Sequence, residues 1–158
     1  MSEFDFKAFV SEKLQSNLEM YLQDFEAMSD DQLAKSPGGV ARTPYDFTYE
    51  IASVNKRVAM RLRGEEPPKM DSQGWMTAPD DFKDRAKAVA ALKDSVNTLK
   101  TSWESLPADK VHMDLQIPNW DGATPLSMTL MMASHMGYHC GQLNYIQTLN
   151  GDAEMHWM

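Results

Sequence analysis

The stretch TPLSMTLMMASHMGYHCGQLNYIQTLNG, residues 124–151, predicts one long helix. Thr124 provides a side-chain cap, and Pro125 suits the first helical position, where its missing N–H costs nothing. Asn150-Gly151 is typical of a helix end, because glycine readily adopts the left-handed conformation found there. Apolar side chains fill most positions between these signals. We therefore expect this helix to lie against a core.

Three further segments show apolar residues spaced three and four apart, as in amphipathic helices. They cover residues 6 to about 29, about 43 to 63, and about 79 to 106. The connection between the second and third helices, about fifteen residues rich in proline and glycine, is long for a compact domain. Strand content should be negligible, although Val111–Ile117 could form a short extended piece. The pattern predicts an all-α, four-helix bundle with one crossover connection.

Length and composition narrow the classes of protein. A chain of 158 residues suits a single domain spanning residues 1–158. The net charge of −8 opposes binding to nucleic acid. The N-terminus does not read as a signal peptide, and no apolar run reaches the roughly 18 residues of a membrane span. The single cysteine excludes an internal disulfide, which fits a reducing compartment. Together these features predict a cytoplasmic protein with no membrane partner.

Two histidines, His135 and His139, lie four residues apart in the last helix. At about 100° per residue they share one face with apolar side chains, so both should point into the core. Two imidazoles one turn apart can bind the same cation. The alternative is a pair of separate core histidines, each hydrogen-bonded to a neighbour.

Glu50, on the second helix, is the best candidate for a third ligand. It flanks the apolar stripe of that helix and could turn inward towards the histidines. The alternative is an ordinary boundary glutamate paired with Lys56 or Arg57. Asp46, one turn earlier, is a weaker substitute ligand.

The other polar candidates have weaker signals. His112 and His156 lie in irregular segments and are expected to be solvated, unless the C-terminal tail folds back over the site. Cys140 turns about 100° from the face of the histidines and should pack at a helix or subunit contact. Gly137 and Gly141 would allow a close helix approach beside it. Tyr138, Gln142 and Tyr145 are candidates for hydrogen bonds around the site.

Two segments carry a resemblance to a known family. The segment HMGYHCGQLNYIQTLNGD, residues 135–152, resembles the closing motif of the DinB-like superfamily, with two histidines four apart followed by Gly-Gln and an aromatic residue. The segment TPYDFTYEIASVNKRVAMRL, residues 43–62, is similar to the second helix of that family, and Asn55 follows the ligand position by five residues. The resemblance extends over the whole chain.

The resemblance implies an up-down-down-up bundle that binds one divalent metal, often nickel or zinc, through three histidines. His135 and His139 match two of those ligands, whereas Glu50 stands where the family has its first histidine. A set of two histidines and one glutamate suits zinc or iron, but the exchange is also compatible with loss of the metal. Members with known activity use the metal to activate a low-molecular-weight thiol, and related bundles often form dimers.

Three functions remain open from the sequence. The first is a metal-dependent enzyme, a thiol S-transferase or a hydrolase, acting on a small molecule. The second is a non-catalytic protein that binds a metal or a small ligand. The third is a metal-free dimerisation or interaction module. A homodimer is expected, and nucleic acid is not.

Overall fold

The computed structural model describes residues 5–70, 74–118 and 120–157. This part of the chain contains five α-helices: α1 (Phe6–Ala27), α2 (Asp30–Ala34), α3 (Pro44–Leu62), α4 (Arg85–Glu104) and α5 (Pro125–Leu149). Two short 3-10 turns, Asp80–Phe82 and Ala108–Lys110, precede and follow α4. Strands are absent from the described residues, apart from one isolated bridge between Ile117 and Trp120. The described part of the chain is all-α, as predicted.

Local capping explains where the helices begin. Thr43 and Thr124 each accept a hydrogen bond from the third residue of the following helix, and each precedes a proline. Ser29 caps α2 in the same way. The sequence analysis predicted no helix there, because a helix of five residues is too short to show periodicity.

The third long helix begins later than predicted. Asp84 caps α4 by accepting from Lys87 N, so the helix starts at Arg85 and not near Pro79. Phe82 lies in the 3-10 turn before α4, yet it packs on the core side, with its ring 5.1 Å from that of Tyr49. Its spacing therefore matched the apolar pattern of the helix. An apolar contact in a turn resembles the first contact of a helix when only spacing is considered.

The four long helices pack around one apolar core. Several hydrogen bonds join α1 to α5, among them those from Asn17 Nδ2 to Ala133 O at 2.7 Å and from Cys140 Sγ to Asp24 Oδ2 at 3.0 Å. The core is built from aliphatic, aromatic and methionine side chains of all four helices, among them Leu14, Phe25, Ile51, Val58, Leu92, Leu99, Trp103, Met132 and Met136.

Other hydrogen bonds join α3 to α4 and α1 to the end of α4. Asn55 of α3 donates to Ser95 of α4 at 3.3 Å, and Arg63 donates to Ser102 at 2.9 Å. Lys7, at the start of α1, donates to the carbonyl of Leu106 at 2.6 Å. No described helix is long and apolar enough to cross a membrane. The surface between α3 and α5 carries the candidate site.

Candidate metal centre

Glu50, His135 and His139 lie together between α3 and α5. Their ligand atoms are all within 4.8 Å of one another. The Nε2 atoms of the two histidines are 2.9 Å apart, and Glu50 Oε1 is 3.3 Å from the Nε2 of His135 and 3.9 Å from that of His139. The structure thus brings together the three residues that the sequence singled out.

The spacing of these three atoms fits a small cation. Their separations define a triangle whose circumscribed circle has a radius of about 2.0 Å, close to the length of a bond from zinc to nitrogen or oxygen. Two imidazole nitrogens and one carboxylate oxygen form a donor set that suits zinc and other first-row transition metals. The residues present therefore fit a divalent metal.

His139 is held by contacts on every side. Its side chain is fully buried, and its ring stacks on Phe47 at 5.0 Å between centroids. Gln142 donates through Nε2 to the Tyr138 hydroxyl, which orients the amide so that its oxygen faces His139 Nδ1 at 2.6 Å. An amide oxygen only accepts, so His139 carries its proton on Nδ1 and presents a lone pair on Nε2.

His135 is held less firmly. It is partly exposed, and its Nδ1 atom is buried without a hydrogen-bond partner among the described residues. Its contacts with the site are made by Nε2, to His139 and Glu50. The two histidines therefore differ, with His139 anchored in the core and His135 at the margin of the site.

Arg42, which the sequence analysis did not identify, completes the cluster. Its guanidinium forms an ion pair with Glu50 Oε2, which leaves Oε1 facing the histidines. The guanidinium also lies over the rings of Phe47 and Trp75, at 5.1 and 4.6 Å from their centroids. Arg42 precedes the cap of α3, outside any helical pattern, so no periodic signal could have linked it to Glu50.

Burial and polar partners act on Glu50 in opposite directions. Burial alone raises the pKa of this carboxyl group, but the neighbouring imidazoles of His135 and His139 and the guanidinium of Arg42 outweigh that effect and lower it. The resulting pKa lies well below the ordinary range. Glu50 is therefore ionised at neutral pH and available as an anionic ligand.

The alternative partners considered for Glu50 have other roles. Lys56 pairs with Asp94 at 2.8 Å, and Arg57 donates to the backbone carbonyl of Pro68. Asp46 is not a substitute ligand, because it accepts from Thr43 N at 2.9 Å and from Ala78 N at 2.7 Å. It caps α3 and ties that helix to the following connection.

The remaining candidates lie away from the three ligand atoms. His112 is exposed, and His156 pairs with Asp152 at 2.9 Å. Cys140 is buried against Asp24 between α1 and α5, which agrees with the packing role expected for it. Burial, reinforced by Asp24, raises the pKa of its thiol to about 12. Tyr145 is exposed on the outer face of α5.

Comparisons with known proteins agree with this architecture. The crystal structure of a conserved protein from Enterococcus faecalis superposes with a TM-score of 0.75 at 14% identity, covering 93% of this chain and 98% of that one. At this identity the likeness shows the fold alone. A search among curated proteins gave no match. The family model described as the DinB superfamily matches residues 13–143, and this chain belongs to that superfamily.

Proposed function

We propose that this protein binds one divalent transition metal through Glu50, His135 and His139 and uses it in a reaction of a small molecule. Thiol S-transfer, with a low-molecular-weight thiol as one substrate, or hydrolysis are the reactions proposed. The observation that carries the proposal is the convergence of three ligand atoms from two helices within 4.8 Å. Zinc, nickel and iron all suit such a donor set.

The surroundings of the cluster support a catalytic role over a structural one. Three protein ligands leave coordination positions for other molecules, as in catalytic zinc sites. Glu50 and His135 also line a cavity of about 550 Å³. A divalent metal held there would supply Lewis acidity, which lowers the pKa of a thiol or of water.

The residues of the chain have separate tasks in this proposal. Gln142 holds the His139 tautomer that presents Nε2. Arg42 binds Glu50 Oε2 and so directs Oε1 towards the histidines. Phe47 covers one face of the His139 ring and excludes water from that side. These contacts position the ligands before any substrate enters.

Elemental analysis of natively purified protein tests the proposal. We expect about one transition metal per chain in the wild type and loss of that metal in Glu50→Ala and His139→Ala. Asp46→Ala and His156→Ala are matched controls, because each removes the same kind of group outside the cluster, and both should keep the metal. No metal after incubation with zinc, nickel and iron in turn would refute the proposal. Retention without Glu50 would exclude it as a ligand.

A metal-free interaction module is the second candidate, favoured by one observation. Arg42 already neutralises Glu50, and the three cluster residues are within hydrogen-bonding or ion-pair distance of one another. Apart from His135 Nδ1, such a cluster is satisfied as a partly buried polar network. If the wild type binds no metal while the Arg42–Glu50 pair proves stabilising, this function would replace the first. A metal bound without detectable turnover would instead indicate a carrier or sensor.

We also propose the up-down-down-up helix order of the superfamily. Asn17 contacts Ala133 and Asp24 contacts Cys140, so residue numbers increase in the same direction along α1 and α5. This supports a parallel pair. In α3 and α4 the contacts at residues 55 and 95, and then 63 and 102, also advance together. Lys7, at the start of α1, donates to the carbonyl of Leu106, two residues past the end of α4, which supports opposite directions for α1 and α4.

A cytoplasmic homodimer is the proposed form of the protein. The unpaired, buried Cys140 is compatible with a reducing compartment. No charged residue occurs between Pro125 and Leu149, and Tyr138 and Tyr145 are exposed on that helix. An uncharged face with exposed aromatic side chains suits a second copy of the chain. Sedimentation equilibrium should show a dimer that Tyr145→Arg weakens, and a monomer at every concentration would exclude it.

A further inference from the structure

The cavity beside the cluster is a groove between α3 and α5. Val54 and Val58 line it from α3, and Met128, Met131 and Met132 line it from α5. Trp120, from the segment before α5, also contributes to the wall. Methionine side chains are flexible and polarisable, so they adapt to ligands of varied shape. This lining favours an apolar body.

Two cations interrupt the apolar wall. Arg57 and Arg61 lie on the same face of α3 as Glu50 and line the same cavity. Arg57 donates to the Pro68 carbonyl, which carries no net charge. Arg61 meets Glu66 only at 3.3–3.4 Å, and the Glu66 side chain is 77% exposed. A bound anion could therefore join Arg57 and replace Glu66 on Arg61.

The spacing along α3 sets the length of the occupant. Arg57 and Arg61 follow Glu50 by seven and eleven residues, which is about 10 and 16 Å along a helix axis. Glu50 begins this run of lining residues on α3, and His135 lies beside it across the groove. From this arrangement we propose that the groove binds an apolar molecule with a terminal anionic group, held by Arg57 and Arg61, whose far end reaches the carboxylate–histidine cluster.

This inference deepens the proposed function by naming the chemical class of its substrate. A second cavity of about 620 Å³ also includes Arg57 in its lining. We assign the ligand to the groove beside the cluster and not to that cavity. That cavity is lined by Lys56, Met60 and Trp75, among others, and includes none of Glu50, His135 and His139. The two cavities share Arg57 and Met70, so the test has to distinguish them.

Isothermal titration calorimetry with decanoate, on protein freed of metal with a chelator, tests the inference. Decanoate should bind saturably below its micelle-forming concentration. Decyltrimethylammonium has a chain of the same length and the opposite charge, and decanol has no charge. Both should bind at least about tenfold more weakly, because a charge-assisted hydrogen bond contributes about one order of magnitude in affinity.

Paired variants identify the cavity. Arg61→Met and Met131→Trp alter only the groove beside the cluster, whereas Lys56→Met and Met60→Trp alter only the second cavity. The first pair should weaken decanoate binding about tenfold or more, and the second pair should leave it within twofold of the wild type. Thermal unfolding of each variant verifies that it folds. Arg61→Met removes the charge at the groove without adding bulk, so it tests the groove independently of Met131→Trp.

Several outcomes would overturn the inference. These are the absence of saturable decanoate binding, equal binding of all three probes, or weakening only by the second pair of variants. His139→Ala separates this inference from the proposed function, because His139 is a proposed metal ligand that does not line the groove. Loss of metal with decanoate binding retained would leave the groove assignment intact. If the wild type contains metal as purified but does not bind decanoate after the metal is removed, the groove assignment alone is refuted.

Discussion

Arg42 and Glu50 form an ion pair in which both side chains are largely shielded from solvent, with 12% and 15% of their surfaces exposed. The pair divides the carboxylate between two tasks, since Oε2 binds the guanidinium and Oε1 faces the two histidines. Removing either partner would leave a partly buried charge without its counterion. Such a loss is costly even where the intact pair contributes little to stability.

A double-mutant cycle should therefore show coupling between these residues in metal-free protein. Glu50→Gln and Arg42→Met should each destabilise the fold, and the double variant should lose less than their sum by about 1–2 kcal/mol. Urea denaturation at neutral pH measures each free energy of unfolding. A cycle through Lys56 and Asp94, an exposed pair at 2.8 Å, is the matched control and should show less coupling. Strict additivity at Arg42 and Glu50 would contradict the prediction.

Gln142 should affect metal affinity without being a ligand. Its amide oxygen holds the proton on His139 Nδ1, and loss of such a partner typically weakens metal binding by about 10–100-fold. Gln142→Ala should show this loss in a zinc competition with a chromophoric chelator. Gln147→Ala is the matched control, because that glutamine of the same helix bonds the backbone of Asp24 and should keep wild-type affinity. Equal affinities in both variants would exclude a positioning role.

The contribution of Asp24 to the free energy of unfolding should increase as the pH falls. Burial raises the pKa of this carboxyl group, although hydrogen bonds from Cys140 and Asn144 and the charge of His156 oppose the effect. A raised native pKa means that the folded protein takes up a proton before the unfolded chain does. Lowering the pH from 7 towards the ordinary value of about 3.9 should thus stabilise the wild type relative to Asp24→Asn.

Urea denaturation of both proteins at several pH values in that range measures the difference in their free energies of unfolding. Taking the difference between the two proteins cancels the contributions of carboxyl groups that titrate alike in both. The difference should move in favour of the wild type as the pH falls. A constant difference, or one that moves the other way, would show that the native pKa of Asp24 is not raised.

Cys140 should resist thiol reagents in the folded protein. With its pKa raised to about 12 by burial and by Asp24, the thiolate fraction at pH 8 is about a thousandfold below that of an ordinary cysteine. Labelling with a chromogenic disulfide should be slower than in the unfolded chain by at least that factor. Cys140→Ala should keep the metal content of the wild type. Fast labelling of folded protein would indicate an accessible, activated thiol instead.

Much of the candidate site was predictable because it follows local rules. The 3.6-residue period places His135 and His139 on one face of α5, and the apolar residues around them indicate that this face is inward. Glu50 was predicted as the third member from its place beside the apolar stripe of α3. The structure brings the three together, while their role as metal ligands stays a proposal.

Contacts between distant segments were not predictable in this way. Asp46 and Glu50 are both acidic residues on the same helix, one turn apart, yet the first caps α3 and the second faces the histidines. Asp46 also accepts a hydrogen bond from Ala78, which reaches it from the connection after α3. Spacing along one helix holds no information about a residue that approaches from another segment.

The sequence by itself determined the helical class, the starts of α3 and α5 and the paired histidines, since caps and periodicity act over one or two helical turns. Tertiary structure alone decided that Arg42 binds Glu50 and that Trp120 lines a groove between α3 and α5. These contacts depend on the path of loops that cross from one helix to another. The path of a loop is set by the packing of the helices it joins, and no pattern within the loop encodes it.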